Sequence, residues 1–466
     1  MNLNFNSGSS SKLLKTTGVY MIGSMLSKVL NLVILPYISS QLTTEEYGVY
    51  DLIQTIVSVV LPIFTMQAIE AAFRFVYLEE KKGNVLTNVW GIIIAGSALF
   101  AVLLYVADAV FLHLEYTFYL LIYFIFNVLI NMFQRVARCY DNNKVYSVSG
   151  VIQTFVLLVS QYVFLKYFNM KLNGLVYAYA ISVVVVCVYI EICIRHIKEL
   201  DIKTISKDVL KRIIRFSAPL IPNNISWWAI SSVNRIVIVS FISYSANGIF
   251  SMSNKFASIV TMVASTFQLA WQEYGLTEKD NPDRERIFSE VFRHFLIVLA
   301  CVTSGGILLQ QIFFKTLIDP QYAESFYYIP IVMAGVAFSA INSFFGAGYF
   351  IYEKTNSAFK TTVVGAIISI ALCLAFVKPF GLYGISAASG IAYAFMWVMR
   401  AVTMRSYFKI HINIKAVLYY VAVVVLSVLV YYQNNNLFSF IAIVALCLSF
   451  AIMYFKYFLV FLKKIR

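Results

Sequence analysis

The feature that most constrains this chain is the recurrence of unbroken apolar runs of membrane-crossing length. A helix needs about 20 mostly apolar residues to cross the hydrocarbon core. Such runs lie near 14–40, 47–73, 85–112, 116–138, 146–168, 173–194, 214–242, 247–271, 287–313, 323–351, 357–377, 381–404, 415–433 and 437–461. They are continuous rather than alternating, which predicts helices and not barrel strands. Of the 466 residues, 61% are hydrophobic and 12% charged, too few polar side chains to coat so much apolar surface in water. The expected fold is therefore all-α and integral to the membrane, with about fourteen transmembrane helices.

The formal net charge of +14 argues for nucleic-acid binding only if the basic residues share one face. Instead they fall in short clusters between apolar runs, on alternate connections: Lys81 and Lys82, then Arg135, Arg138 and Lys144, then 195–215, then Lys279, Arg284 and Arg286, then Arg400, Arg405, Lys409 and Lys415, then Lys463 and Lys464. The opposite side offers only Lys166, Lys171, Lys315 and Lys378. This is the positive-inside pattern; it argues against nucleic acid as a partner and predicts a multi-pass protein with both termini in the cytoplasm. The six cysteines lie in or beside apolar runs without paired spacing and read as small hydrophobes.

Self-comparison suggests a repeat. Gly48-Val49-Tyr50, Gln54 and Ser58 align with Gly248-Ile249-Phe250, Asn254 and Ser258, and Lys144, Ser147 and Gly174 with Lys354, Ser357 and Gly384. Two six-helix lobes in parallel, pseudo-twofold repeat are expected, 1–195 and 215–408, joined by a basic cytoplasmic linker at 196–214 and followed by two accessory helices in 409–466. The pattern Ile202, Ile205, Val209, Leu210 and Ile213 predicts an amphipathic surface helix in that linker. Parallel lobes imply a cavity between them and alternating access.

Charged residues inside spans cost several kcal/mol unless they face water or a partner. Lys28, Arg235 and Lys255 are deep and read as lining a cationic cavity for an anionic, phosphate-bearing substrate; Arg74 joins them. Arg74 and Arg293 can equally snorkel to the inner interface. Glu70, four residues before Arg74 on one face, suits either charge pairing or ion coupling. Pro219 and Pro222 are hinge candidates or ordinary kinks. Trp271 reads as an interface anchor, Trp227 and Trp228 as core. The four histidines are scattered and there is no phosphate-binding glycine loop, so neither a metal nor another cofactor is expected, and no enzyme site.

Gly18-Val19-Tyr20, Gly23-Ser24, Ser27-Lys28, Pro36, Glu45-Glu46-Tyr47-Gly48-Val49-Tyr50 and Arg74-Phe75 resemble the opening of Wzx-type polysaccharide flippases of the multidrug/oligosaccharidyl-lipid/polysaccharide (MOP) exporter superfamily. Ala218-Pro219-Leu220-Ile221-Pro222-Asn223, Trp227-Trp228, Asn234-Arg235, Gly248, Lys255-Phe256 and Ala270-Trp271 resemble its second-half signature, with Asn234 standing where an acidic residue often precedes the arginine. The resemblance implies a transporter of undecaprenyl-pyrophosphate-linked oligosaccharide repeat units for O-antigen or capsule. Its partners would be that lipid-linked substrate, membrane lipids, a coupling proton or sodium ion, and a polysaccharide polymerase with other assembly proteins. The alternatives are a cation-coupled multidrug exporter of the same superfamily, which would want acidic cavity residues, and a membrane glycosyltransferase or polymerase, which would want a large external catalytic loop.

Overall fold

The computed structural model describes residues 30, 32–76, 82–112, 116–352, 354–406 and 410–465. Most of the expected first span, including Lys28, lies outside the described residues. Among the described residues every regular element is helical: α1 Leu35–Gln41, α2 Thr44–Phe64, α3 Ala68–Val76, α4 Lys82–Ala107, α5 Thr117–Cys139, α6 Asn143–Lys166, α7 Lys171–Ile194, α8 Lys207–Ser217, α9 Leu220–Phe241, α10 Tyr244–Thr277, α11 Arg284–Leu317, α12 Ser325–Ile351, α13 Thr355–Met404, α14 Ile414–Gln433 and α15 Asn436–Ile465. Ten of these are long and apolar enough to cross a membrane. Two more, α9 and α10, have spanning length but miss that apolarity because they carry Asn223, Asn224, Asn234, Arg235, Asn254 and Lys255. The 50-residue α13 is two helices joined across a kink at Gly381, with φ 52° and ψ −134°, a backbone region open only to glycine. With α2 and α3 taken as one broken span, α13 as two helices and the linker helix α8 set aside, the described helices make fourteen rods, α1 being the described end of the first expected span.

Polar side chains set the helix starts. Thr43 and Glu46 form a reciprocal capping box at α2 (Glu46 N–H to Thr43 Oγ1, 3.2 Å; Thr43 N–H to Glu46 Oε2, 2.9 Å). Asn142, Ser243 and Asn413 cap α6, α10 and α14. Outward faces stay apolar, with Ile94 and Leu99 on α4 and Leu437 and Phe440 on α15 exposed, as a lipid solvent permits.

Two compact units emerge, Met1–Trp228 and Ala229–Arg466. In the first, α5 packs on α2, α3 and α7, and α6 on α7. Its 196–206 segment is strapped to the start of α4: Asn88 Nδ2 donates to Thr204 O (3.1 Å), Asn88 Oδ1 accepts from Ser206 N–H (2.9 Å), and Thr87 Oγ1 accepts from Asp201 N–H (3.1 Å). A Cβ at Gly83 would sit 2.2 Å from Glu199 O, so glycine alone permits this approach. The amphipathic helix begins later than its pattern suggested. Residues 202–204 form a short 3-10 turn and Ile202 is 81% exposed; the helix proper, α8, starts at Lys207 and buries Ile213, with Phe216 against Phe75. Asn88 and Thr87, binding the strap backbone, compete with helix hydrogen bonds there.

In the second unit α12 packs on α10 and α13, and α11 on α14 and α15. Gly335 and Gly390 let α12 and α13 cross closely, a Cβ on either meeting the other's Cα at about 3 Å. Trp271 belongs to this core, contrary to its reading as an interface anchor: it is buried, stacks on Phe344 at 4.6 Å, and donates its indole N–H to Phe344 O (3.1 Å). Arg400, counted above among basic loop charges, is likewise 1% exposed and sits inside this core.

Candidate functional site

The first unit holds a polar pocket at the break between α2 and α3. Pro62 lies inside α2 and cannot donate to the helical ladder. Four residues later the chain leaves the helix through Met66 and Gln67, both left-handed (φ 50° and 53°), before α3 begins at Ala68. A side chain with a Cβ pays about 1–2 kcal/mol in that region, and such strain at a broken membrane helix is where transporters place ligand sites. Backbone groups freed by a break at membrane depth are tolerated where they line a wet cavity; Leu61 O, at the end of α2, accepts from both the Thr65 N–H (3.0 Å) and Thr65 Oγ1 (2.7 Å).

The cavity there has a volume of about 280 Å³ and is walled by Ser58, Thr65 and Gln67 at the break, Glu70 on α3, Asn131 and Arg135 on α5, and Asn224 at the start of α9. Its polar wall is made of hydroxyls, amides and one ion pair, between Arg135 Nη2 and Glu70 Oε1, in which Glu70 is 46% exposed. Asn131 Nδ2 donates to Asn127 O (2.8 Å) and Asn127 Oδ1 (2.8 Å). The N-terminal end of α3, the positive pole of its dipole, borders the same cavity through Gln67 and Glu70.

Beside the pocket, arginines lie on aromatic faces. Arg138 is 4.8 Å from the Phe73 centroid and Arg135 5.7 Å from it; Arg74 lies 4.5 Å over Phe216 and Arg212 4.8 Å over Phe75. A guanidinium held against a ring keeps a defined position, and its planar fork is a group that suits phosphate.

The structure places the expected residues in three groups. Glu70 lines the pocket, and its ion-pair partner is Arg135, not Arg74. Arg74 points to α8 instead. Pro219 sits in the two-residue turn between α8 and α9, and Pro222 in the first turn of α9, where a missing N–H costs nothing. In the second unit Arg235 is half-buried on α9, its guanidinium 5.9 Å from the Phe250 ring and Nη1 donating to Ser231 O (3.1 Å). Asn234, buried, turns its amide toward Ser389 Oγ (3.4 Å). Lys255 is half-buried on α10, five residues beyond Phe250 and so about 7.5 Å further along the helix. Sequence reasoning passed over Arg135, read as an inner-loop charge, and over Asp51, which is buried in α2 close enough to Tyr50 and Tyr123 to act on them electrostatically.

Outside the spans, His196 is fully buried beneath the strap, stacked on Trp90 with ring centroids 6.4 Å apart and with Nδ1 2.6 Å from Glu191 Oε2. Burial holds its pKa below the ordinary histidine value, against the pull of Glu191.

A many-helix bundle with a polar pocket at a broken span is the fold of a multi-pass membrane protein. A family model described as polysaccharide biosynthesis protein matches residues 13–271, more than half of the chain and all of the pocket, and the protein belongs to that family. Solved transporters share its fold. Lipid II flippase MurJ in an inward closed conformation is similar with a TM-score of 0.70 at 14% identity, over 94% of this chain and 99% of that one. An inward-facing multidrug resistance MATE transporter of the MOP superfamily gives 0.65 at 13% identity, over 82% and 95%. A mutant of the Vibrio cholerae MATE transporter VcmN gives 0.57 at 14% identity, over 85% and 97%. No curated protein matches the sequence.

Proposed function

We propose that this protein is a flippase that moves undecaprenyl-pyrophosphate-linked oligosaccharide repeat units across the bacterial inner membrane by alternating access, in the assembly of a surface polysaccharide such as O-antigen or capsule. The observation that carries the reading is the pocket at the α2–α3 break, in a chain of the polysaccharide biosynthesis family: hydroxyl and amide groups suited to sugars, with Arg135 and the stacked arginines suited to pyrophosphate. The polyprenyl tail would stay in lipid. Arg74 in the same unit, and separately Lys28, Arg235 and Lys255, are proposed as further cationic residues for the substrate. Glu70 holds Arg135 in an ion pair; protonating its carboxylate would release Arg135 to the phosphate and so couple a proton to loading. A cationic drug would need a carboxylate available in the cavity, and the Glu70 carboxylate is engaged by Arg135.

The test is deletion in the source organism followed by analysis of lipid-linked sugars. The flippase reading expects complete repeat units to accumulate on the cytoplasmic leaflet, with rescue by the wild-type gene and not by Arg135→Gln. Unchanged sugars together with new drug sensitivity would replace it with the exporter reading.

A further inference from the structure

Away from that pocket, a second cavity of about 290 Å³ opens among α11, α14 and α15. Its polar end is formed by Arg293 and His294 on α11 and Lys415 on α14, and no carboxylate lines it among the described residues. Arg293 Nη2 lies 3.3 Å from His294 Nε2. A guanidinium can only donate, so that histidine nitrogen accepts, and the other ring nitrogen carries the hydrogen. Neither Arg293 nor Lys415 forms an ion pair among the described residues. The start of α14, capped by Asn413, adds the positive end of a helix dipole to the same mouth.

The deep walls differ in kind. Ile297, Ala416, Tyr419 and Met453 line them, and the Tyr419 hydroxyl is taken up by Ser449 Oγ at 2.9 Å, leaving its ring to the cavity. Beyond the mouth, Leu418 on α14 and Ile452 on α15 are exposed apolar surface. A neighbouring larger pocket of about 550 Å³ shares Arg293 and Asn413, but there Asp283, Glu285 and Glu290 offset Arg284, Arg286 and Arg293. At the smaller, amphipathic cavity Lys415 and His294 join the shared Arg293, and no carboxylate is among the residues that line it.

We infer that the α11–α14–α15 cavity binds one anionic phospholipid of the surrounding bilayer, its phosphate on Arg293 and Lys415 and the start of an acyl chain against Ile297, Tyr419 and Met453. The apolar wall selects a lipid over free phosphate, and the volume is too small for an oligosaccharide headgroup. Arg293 and Lys415 are at the basic, inner end of their helices, so the lipid comes from the inner leaflet. Lipid seated there joins α14 and α15 to the rest of their unit.

The test is native mass spectrometry of the full chain in detergent, titrated with phosphatidylglycerol or phosphatidylcholine of the same chain length. The first phosphatidylglycerol should bind about tenfold more tightly than phosphatidylcholine, the scale of one or two charge-assisted hydrogen bonds. Arg293→Gln with Lys415→Gln should abolish that preference, whereas Lys207→Gln with Lys211→Gln on α8 should keep it. Melting of each variant in lipid-free detergent at the wild-type temperature confirms that folding is intact. Equal binding of the two lipids, a preference that survives the first double substitution, displacement by inorganic phosphate, or displacement of phosphatidylglycerol by polyprenyl phosphate would each overturn the site. The measurement reads lipid retention without transport, so it stands or falls separately from the flippase reading.

Discussion

Arg135 and Arg400 are both arginines inside membrane-length helices, and their surroundings are opposites. Arg400 is fully buried and donates to three neutral acceptors: Nη1 to Asn342 O (2.7 Å), Nη2 to Thr362 Oγ1 (3.0 Å) and Nε to Thr361 Oγ1 (3.2 Å), while its Cζ lies 5.8 Å from the Tyr349 ring. It ties α12 to both ends of α13 within one unit, and a Cβ at Gly346 would come within 3.0 Å of Nη1. Arg135 has one anionic partner, half exposed, and borders a polar cavity. A guanidinium whose donors are consumed by fixed neutral acceptors is a clamp; one held by a single displaceable carboxylate is a docking point. The lesson is that charge within a span marks function only where its partners can be exchanged.

The largest effect that separates the two should come from Arg400→Ala. It removes the largest fully buried side chain of the unit and three charge-assisted hydrogen bonds, a loss of about 3–5 kcal/mol. Melting in detergent should fall sharply and membrane-inserted protein should drop. Arg400→Lys, too narrow to reach three acceptors, should fall between. Wild-type melting of Arg400→Ala would break the comparison and move Arg400 into the transport machinery. Next in size, Arg135→Gln should leave melting close to wild type, because the exposed side of its ion pair contributes about 1 kcal/mol or less, yet cut surface polysaccharide about tenfold or more. Lys28→Ala, Arg235→Ala and Lys255→Ala should reduce export with protein retained; normal export in all three would remove the cationic residues outside the pocket from the proposal.

The sequence carries this contrast only in part. Span number and helical class were legible because lipid demands long apolar runs, a signal that needs no tertiary information. The polar load of α9 and α10 was legible for the same reason, as an exception to it. The partner of Glu70 was not: Arg74 is four residues away and Arg135 is 65 residues away, and only the packing of α3 against α5 chooses the second. Arg400 was illegible as a core residue because it stands among Arg405, Lys409 and Lys415, where a charge near a helix end ordinarily reaches water. The helix break at Met66–Gln67 has no glycine to announce it; Pro62 is its one local sign.

The helix break at Met66–Gln67 and the junction at Gly381 sharpen the comparison further. Gly381 sits at a φ and ψ that only glycine adopts, so Gly381→Ala should cost about 1–2 kcal/mol although its Cβ would meet no atom within 4 Å. Gln67 holds a left-handed conformation despite its Cβ, so Gln67→Gly should melt at or slightly above wild type while weakening export. That split, stability kept and transport lost, is the mark of strain retained for a ligand. Lower melting with unchanged export would instead make the α2–α3 break a purely structural bend.

The smallest effect concerns the strap over α4. Because burial lowers the His196 pKa, the folded protein binds less proton there than the unfolded chain does. Its contribution is therefore fully present above the ordinary histidine value of about 6.5 and is lost as pH falls through the lower folded value. Glu191, 2.6 Å away, resists this loss, and Glu199 adds a weaker pull in the same direction. Trp90 and Phe133 enclose the ring and give an added charge little solvation. Peptides covering 196–206 should thus exchange amide hydrogen faster at pH 5 than at pH 7.5 once intrinsic chemistry is corrected, with the Asp201 and Ser206 amides opening as Thr87 and Asn88 let go. His196→Phe keeps the aromatic packing without a titrating group and should flatten that dependence. If the wild-type strap exchanges equally at both pH values, Glu191 offsets burial completely and the strap is an inert fastening; if it loosens as expected, acid releases the connection into α8 and α9 while leaving the Arg400 clamp, which no histidine touches among its described hydrogen bonds, unchanged.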